Sequence, residues 1–200
     1  MAMRLHEIHP SLVHYPLAFQ PLAVATDALG YLTGNRRLLQ AGRWATLLAA
    51  GSAALAGGAG IIAQQEVEAE GDAHDLLVTH RTINIGLTLT AGLLAAWRWR
   101  RRAPTPASLA IGALGLAAMG YSAYLGGKMV YEHGVGVRRA GGLKPGHGKE
   151  VWLDNLSEAG AEAAEELSAG VKQTARDMAH GEIAPHFNGR DREPGDEVGY

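Results

Sequence analysis

The sequence predicts an all-α fold: a four-transmembrane-helix up-down bundle followed by a C-terminal amphipathic helix and a flexible tail. Three observations lead there. Four windows of about 20 mainly apolar residues, the length that crosses a bilayer, lie before Val137. Arginine-rich and acidic connections alternate between them. Beyond Val137 the composition turns to Gly, Glu, Asp and Arg, so the mean hydropathy of -0.04 averages two unlike segments.

The windows cover residues 12–32, 44–63, 76–97 and 107–130 of a transmembrane domain spanning 1–137. Gly34-Asn35-Arg36-Arg37 ends the first and Gln64-Gln65-Glu66 the second. Arg98, Arg100-Arg101-Arg102 and the prolines Pro104 and Pro106 end the third. The second and fourth windows are apolar on every side, which suits lipid or a very large core, and 200 residues are too few for the latter. Residues 138–150, including Gly141-Gly142 and Gly146-His147-Gly148, read as a Gly-rich linker. From 151 to 180, Trp152, Leu156, Ala163, Leu167, Val171 and Met178 recur at helical spacing beside Glu158, Glu162, Glu165 and Glu166. An acidic face avoids anionic lipid, so this helix is expected to dock on a partner, a basic electron-transfer protein for instance, or on the bundle's own outer surface. Residues 181–200 are rich in Pro, Gly and charge and are expected to be disordered.

Orientation follows the arginines. Arg36, Arg37 and Arg43 follow the first window and Arg98 to Arg102 the third, whereas Glu66, Glu68, Glu70, Asp72 and Asp75 lie between the second and third. Basic loops stay cytoplasmic, which predicts a multi-pass protein of the bacterial inner membrane with both termini on the periplasmic side. Lys128, Arg138, Arg139, Lys144 and Lys149 after the fourth window run against that rule. Residues 1–10 lack the basic start of a cleavable signal, so the first helix is expected to insert itself. The chain has no cysteine, which excludes disulfides, covalent haem attachment and thiolate-held clusters. It also has no phosphate loop, basic groove or His-Glu-x-x-His motif, so nucleic-acid binding and hydrolysis are set aside.

Histidine carries the chemistry. His9, His14, His80 and His133 all fall at the predicted outer ends, and ionisable groups in or near hydrocarbon are costly unless they face the bundle interior with a partner. Below His14 lie Ala18, Pro21 and Ala25, a corridor of small residues where a flat macrocycle would fit; such residues also serve helix packing. Up-down topology sets the first and third helices on a diagonal, making His14 and His80 the first choice of axial pair. His9 and His133 are the alternative pair or a second site. Asn84 could orient a ligand and Arg81 could pair a propionate. Asp27 is expected to cap the following loop or pair Arg36 or Arg43, with a proton-relay or quinone-site role as the functional option. Tyr31, Trp44, Trp97 and Trp99 read as interface anchors.

The segments His9-Pro10-Ser11-Leu12-Val13-His14-Tyr15-Pro16 and Gly126-Gly127-Lys128-Met129-Val130-Tyr131-Glu132-His133-Gly134-Val135-Gly136-Val137, with Asp27 and His80 between them, resemble an uncharacterised bacterial four-helix membrane family, a domain of unknown function. The resemblance implies association with redox partners such as Rieske iron–sulfur domains, and hence electron transfer. Three readings stay open. The first is a membrane b-type cytochrome with one haem b or two, an electron-transfer subunit rather than a stand-alone enzyme, working between quinone or a membrane partner and a periplasmic redox protein. The second is a non-haem metal site of His9, His14, His80 and His133, with Glu132 as a further ligand. The third is a cofactor-free anchor or scaffold, and in each case a homo- or hetero-oligomer in the bilayer is expected.

Overall fold

The computed structural model describes residues 3–144, 150–152 and 154–187. His147 of the expected linker and residues 188–200 of the expected tail lie outside them. The described residues are helical but for a two-residue ladder and an isolated bridge between Val67 and Leu143. Six α-helices appear: α1 (Leu5–Leu12), α2 (His14–Thr33), α3 (Arg36–Glu66), α4 (Gly71–Arg100), α5 (Pro106–Tyr131) and α6 (Leu156–Ala179). In the ladder β1 (Met3–Arg4) pairs antiparallel with β2 (Glu150–Val151), Met3 opposite Val151.

Helix starts and stops follow the punctuation in the sequence, and each helix outruns its apolar window. Gly34 takes a left-handed φ of 67° after α2, and the Asn35 side chain accepts from the Arg37 and Leu38 amides to cap α3. Thr105 and Ser108 form a capping box on α5, with Pro106 in the first turn. The first window begins too late: helix extends back to Leu5, interrupted at Val13. Pro16 has no N–H for the Leu12 carbonyl, while Val13 N still donates to His9 O and Leu17 N to Val13 O, so the helical path continues through a local break.

The four long helices pack in a ring, α2 on α3, α3 on α4, α4 on α5 and α5 back on α2, and α1 leans on α3. Alanines line the seams: Ala45, Ala49, Ala56 and Ala59 on α3 and Ala91 and Ala95 on α4 are buried, which lets backbones approach closely. Bulk faces outward instead, with Leu22, Leu29 and Leu32, Leu48 and Leu55, Leu89 and Leu93, and Ile111 and Leu114 exposed on α2 to α5 in turn. Two helices, Arg36–Glu66 and Pro106–Tyr131, are long and apolar enough to cross a membrane.

The α1 end of the bundle is closed by the chain's second half. Val67, Ala73, Leu76, Leu125, Met129 and Val135 form an apolar cluster there. Part of the expected linker is built into this end: Glu68 N and Gly136 N both donate to Gly142 O, and Lys144 N donates to Glu66 O. A side chain at Gly142 would run into the Gly134 carbonyl, so glycine is required by close approach. The acidic helix α6 docks on α3 of its own bundle. The expected disordered tail also begins with structure, since a short turn at Pro185–Phe187 packs on α4, His186 N donating to Thr79 Oγ1 and Phe187 stacking on Tyr121.

Candidate imidazole pair and buried ion pair

His9 sits late in α1, and its Nδ1 lies 2.9 Å from the Ala56 carbonyl of α3. A carbonyl only accepts, so Nδ1 carries the proton and Nε2 is left as the lone-pair nitrogen. Gly60, one turn beyond Ala56, makes this approach possible: a Cβ there would lie 3.1 Å from the ring. The other half of the chain repeats the device. His80 Nδ1 lies 2.9 Å from the Ser122 carbonyl of α5, and a Cβ on Gly126, again one turn beyond, would lie 3.3 Å from the ring. Ser122 Oγ is 3.0 Å from the same nitrogen, and Asn84 Nδ2 donates to both Ser122 Oγ and His80 O. The two rings meet with centroids 6.5 Å apart and planes at 86°.

The opposite end carries a second pair in matching register. Arg98 follows His80 by 18 residues within α4, five whole turns, so it acts on the same helical face about 27 Å further along, and Asp27 of α2 follows His9 of α1 by 18 residues across the break at Val13. Arg98 Nε and Nη2 grip the Asp27 carboxylate at 2.9 Å each, and Nη2 and Nη1 also donate to Leu39 O and Arg101 O. The partner is therefore Arg98, and neither Arg36 nor Arg43; the latter lies over the Trp99 ring instead. The physical reason is depth: Asp27 and Arg98 are both buried at the seam, where an unpaired charge would be prohibitively costly. A cavity of about 40 Å³, room for a few waters, adjoins them beside Gln20, Thr46 and Ser108.

The family model described as predicted membrane protein (DUF2231) matches residues 5–139 of the chain. The chain belongs to that family. No curated protein and no solved structure matches it. The DUF2231 match takes in α1 to α5, with both imidazoles and the ion pair, and stops short of α6.

The remaining residues singled out in the sequence are dispersed over the DUF2231 domain. His14 is exposed at the start of α2 and His133 is exposed beyond α5, so the imidazole brought to His80 is that of His9. Among the described residues no three His, Asp or Glu side chains gather as a metal ion would need. Arg81, singled out as a propionate partner, is buried and donates to Gln64 Oε1 at 3.2 Å and to Asp177 Oδ2 of α6 at 2.7 Å. One group escaped the sequence reading. Glu66, taken as a helix terminator, is fully buried and binds His6 through its N (3.0 Å) and Nδ1 (2.7 Å). The signal available for the pinned rings was a glycine four residues after each accepting carbonyl, Ala56 to Gly60 and Ser122 to Gly126.

Proposed function

We propose that this DUF2231 protein is a four-span, up-down protein of the bacterial inner membrane. Both termini lie on the periplasmic side, and His9 and His80 hold one b-type haem near that face. There it passes electrons between quinone or a membrane partner and a periplasmic redox protein. Leucines exposed on all four long helices support four crossings. So does the separation of about 27 Å between the imidazole pair and the ion pair, close to the thickness of a hydrocarbon core.

The pinned pair of rings carries the reading. If haem were bound, His9 and His80, whose ring centroids lie 6.5 Å apart, would be the residues to hold its iron. Their fixed tautomers leave two Nε2 lone pairs, the donor set a b-type haem would use. When bound, haem supplies a one-electron couple. The chain's own residues then have three tasks: Ala56 and Ser122 orient the rings, Asn84 steadies Ser122, and the alanine-lined seams keep water out.

A reduced-minus-oxidised visible spectrum of the purified protein tests this. A sharp b-type signature is expected, lost in His9→Ala and in His80→Ala and retained in His14→Ala. A signature that survives both of the first two overturns the assignment to His9 and His80 and places the ligands elsewhere, whereas colourless protein after expression with ample haem overturns the haem reading and leaves the anchor or scaffold.

A further inference from the structure

We propose that α6 is a proton-operated cap, seated on the imidazole end of the bundle while Glu166 holds a proton and loosened when that proton leaves. Its seat is close and polar. Gly170 packs so near α3 that a Cβ would fall 2.6 Å from Ile61 Cγ2 and 2.8 Å from Ile61 O. Gln64 donates to the Gly170 carbonyl, Gln65 to Gln173, and Arg81 of α4 pairs with Asp177. Arg81 adjoins His80 in sequence and Gln64 is one turn beyond Gly60, so α6 covers the end at which the two rings meet.

Docking there buries two carboxylates that repel each other. Glu66 is wholly enclosed; its Oε2 binds His6, and its Oε1 is buried without a hydrogen-bond partner among the described residues. Glu166 of α6, 9% exposed, is buried into the field of that carboxylate. Among the charged groups acting on it are Glu66 from α3, Lys144 after α5, and Glu162 and Glu165 on α6 itself; Glu66 in turn binds His6 of α1, and Arg81 of α4 pairs with Asp177 further along α6. Burial first, then repulsion from Glu66, Glu162 and Glu165 with Lys144 opposing, pushes the Glu166 carboxyl up to about 7.

The sign follows from linkage. A carboxyl raised in the docked state favours docking below its ordinary value of 4.5, and that contribution is lost as pH climbs to about 7. The docking constant should therefore fall by roughly 10- to 100-fold between pH 5 and 8. What this does to electron entry at His9 and His80 rests on the haem reading. The docking itself does not.

The absence of native cysteine allows a direct test on the full chain in detergent or nanodiscs. Spin labels go on Val171→Cys of α6 and Tyr131→Cys of α5, both exposed, and the distance distribution between them is read at pH 5 and pH 8. A narrow distribution at pH 5 that gains a broad, longer component at pH 8 is expected. Glu166→Gln should keep the narrow one at both values. Gly170→Leu, forced into Ile61, supplies the undocked reference. An unchanged distribution in the wild-type background overturns the proposal, as does a pH response that persists undiminished in Glu166→Gln.

Discussion

Replacing Gly42 by alanine tests the buried ion pair without touching either charge. A Cβ at Gly42 would fall against Asp27 Oδ1, 2.7 Å from Asp27 Cγ and 3.1 Å from its backbone N. The methyl and the carboxylate cannot both keep their places, so Asp27 must leave Arg98. Breaking a buried pair costs about 3–5 kcal/mol, while glycine to alanine inside a helix ordinarily gains about 1 kcal/mol. The net loss should be about 2–4 kcal/mol, a drop in Tm of roughly 5–15 °C for a chain of this length. Thermal and denaturant unfolding in detergent would read it. The decisive comparison is the same change in an Asp27→Ala background, where the obstructing carboxylate is gone. There Gly42→Ala should be neutral or stabilise by up to about 1 kcal/mol. An equal cost in both backgrounds would refute the reasoning, because the damage would then lie in helix packing and not in the ion pair.

Gly60→Ala and Gly126→Ala should each push a ring off its carbonyl and, on the proposed haem reading, reduce the b-type absorbance several-fold, whereas Gly58→Ala, with open space around it, should leave the spectrum intact. Asn84→Ala should cost about 1 kcal/mol in unfolding while freeing Ser122, and on the proposed haem reading a broadened electron paramagnetic resonance signal would report the freed His80. Arg81→Gln removes a charge-assisted bond to Asp177 and should raise the rate of proteolytic nicking within α6 roughly tenfold; an unchanged rate would mean the contact holds nothing. Single cysteines at Glu70 and Arg102 should label from opposite sides in intact spheroplasts, the first from outside; the reverse result inverts the topology.

Local chemistry was readable wherever a rule acts within one turn. The Gly34-Asn35 turn and the breaks after the arginines and at the prolines before α5 appear where the residues place them, with helix ends shifted outward because hydrogen-bonded backbone continues past the last apolar side chain. His80 and Asn84 were picked out because polar groups stand apart in an apolar run. His14 and His9 were harder to rank, since both sit at the same helix end and the Val13 break resets the face on which each lies. Arg81 looked like a surface charge because its partner, Asp177, is 96 residues away in a helix whose docking site the sequence does not mark. Glu66 looked like a full stop for the same reason: α1 and α6 bury it from outside its own helix.

By itself the sequence determined the all-helical class, the apolar lengths, the caps and the clustering of histidine at one end, because hydropathy, capping and charge bias are summed along the chain. Only the tertiary structure decided which histidine meets His80, which arginine neutralises Asp27 and where α6 lands. Those choices depend on a few ångströms of approach between distant helices, set by the presence or absence of a Cβ at Gly42, Gly60, Gly126 and Gly170.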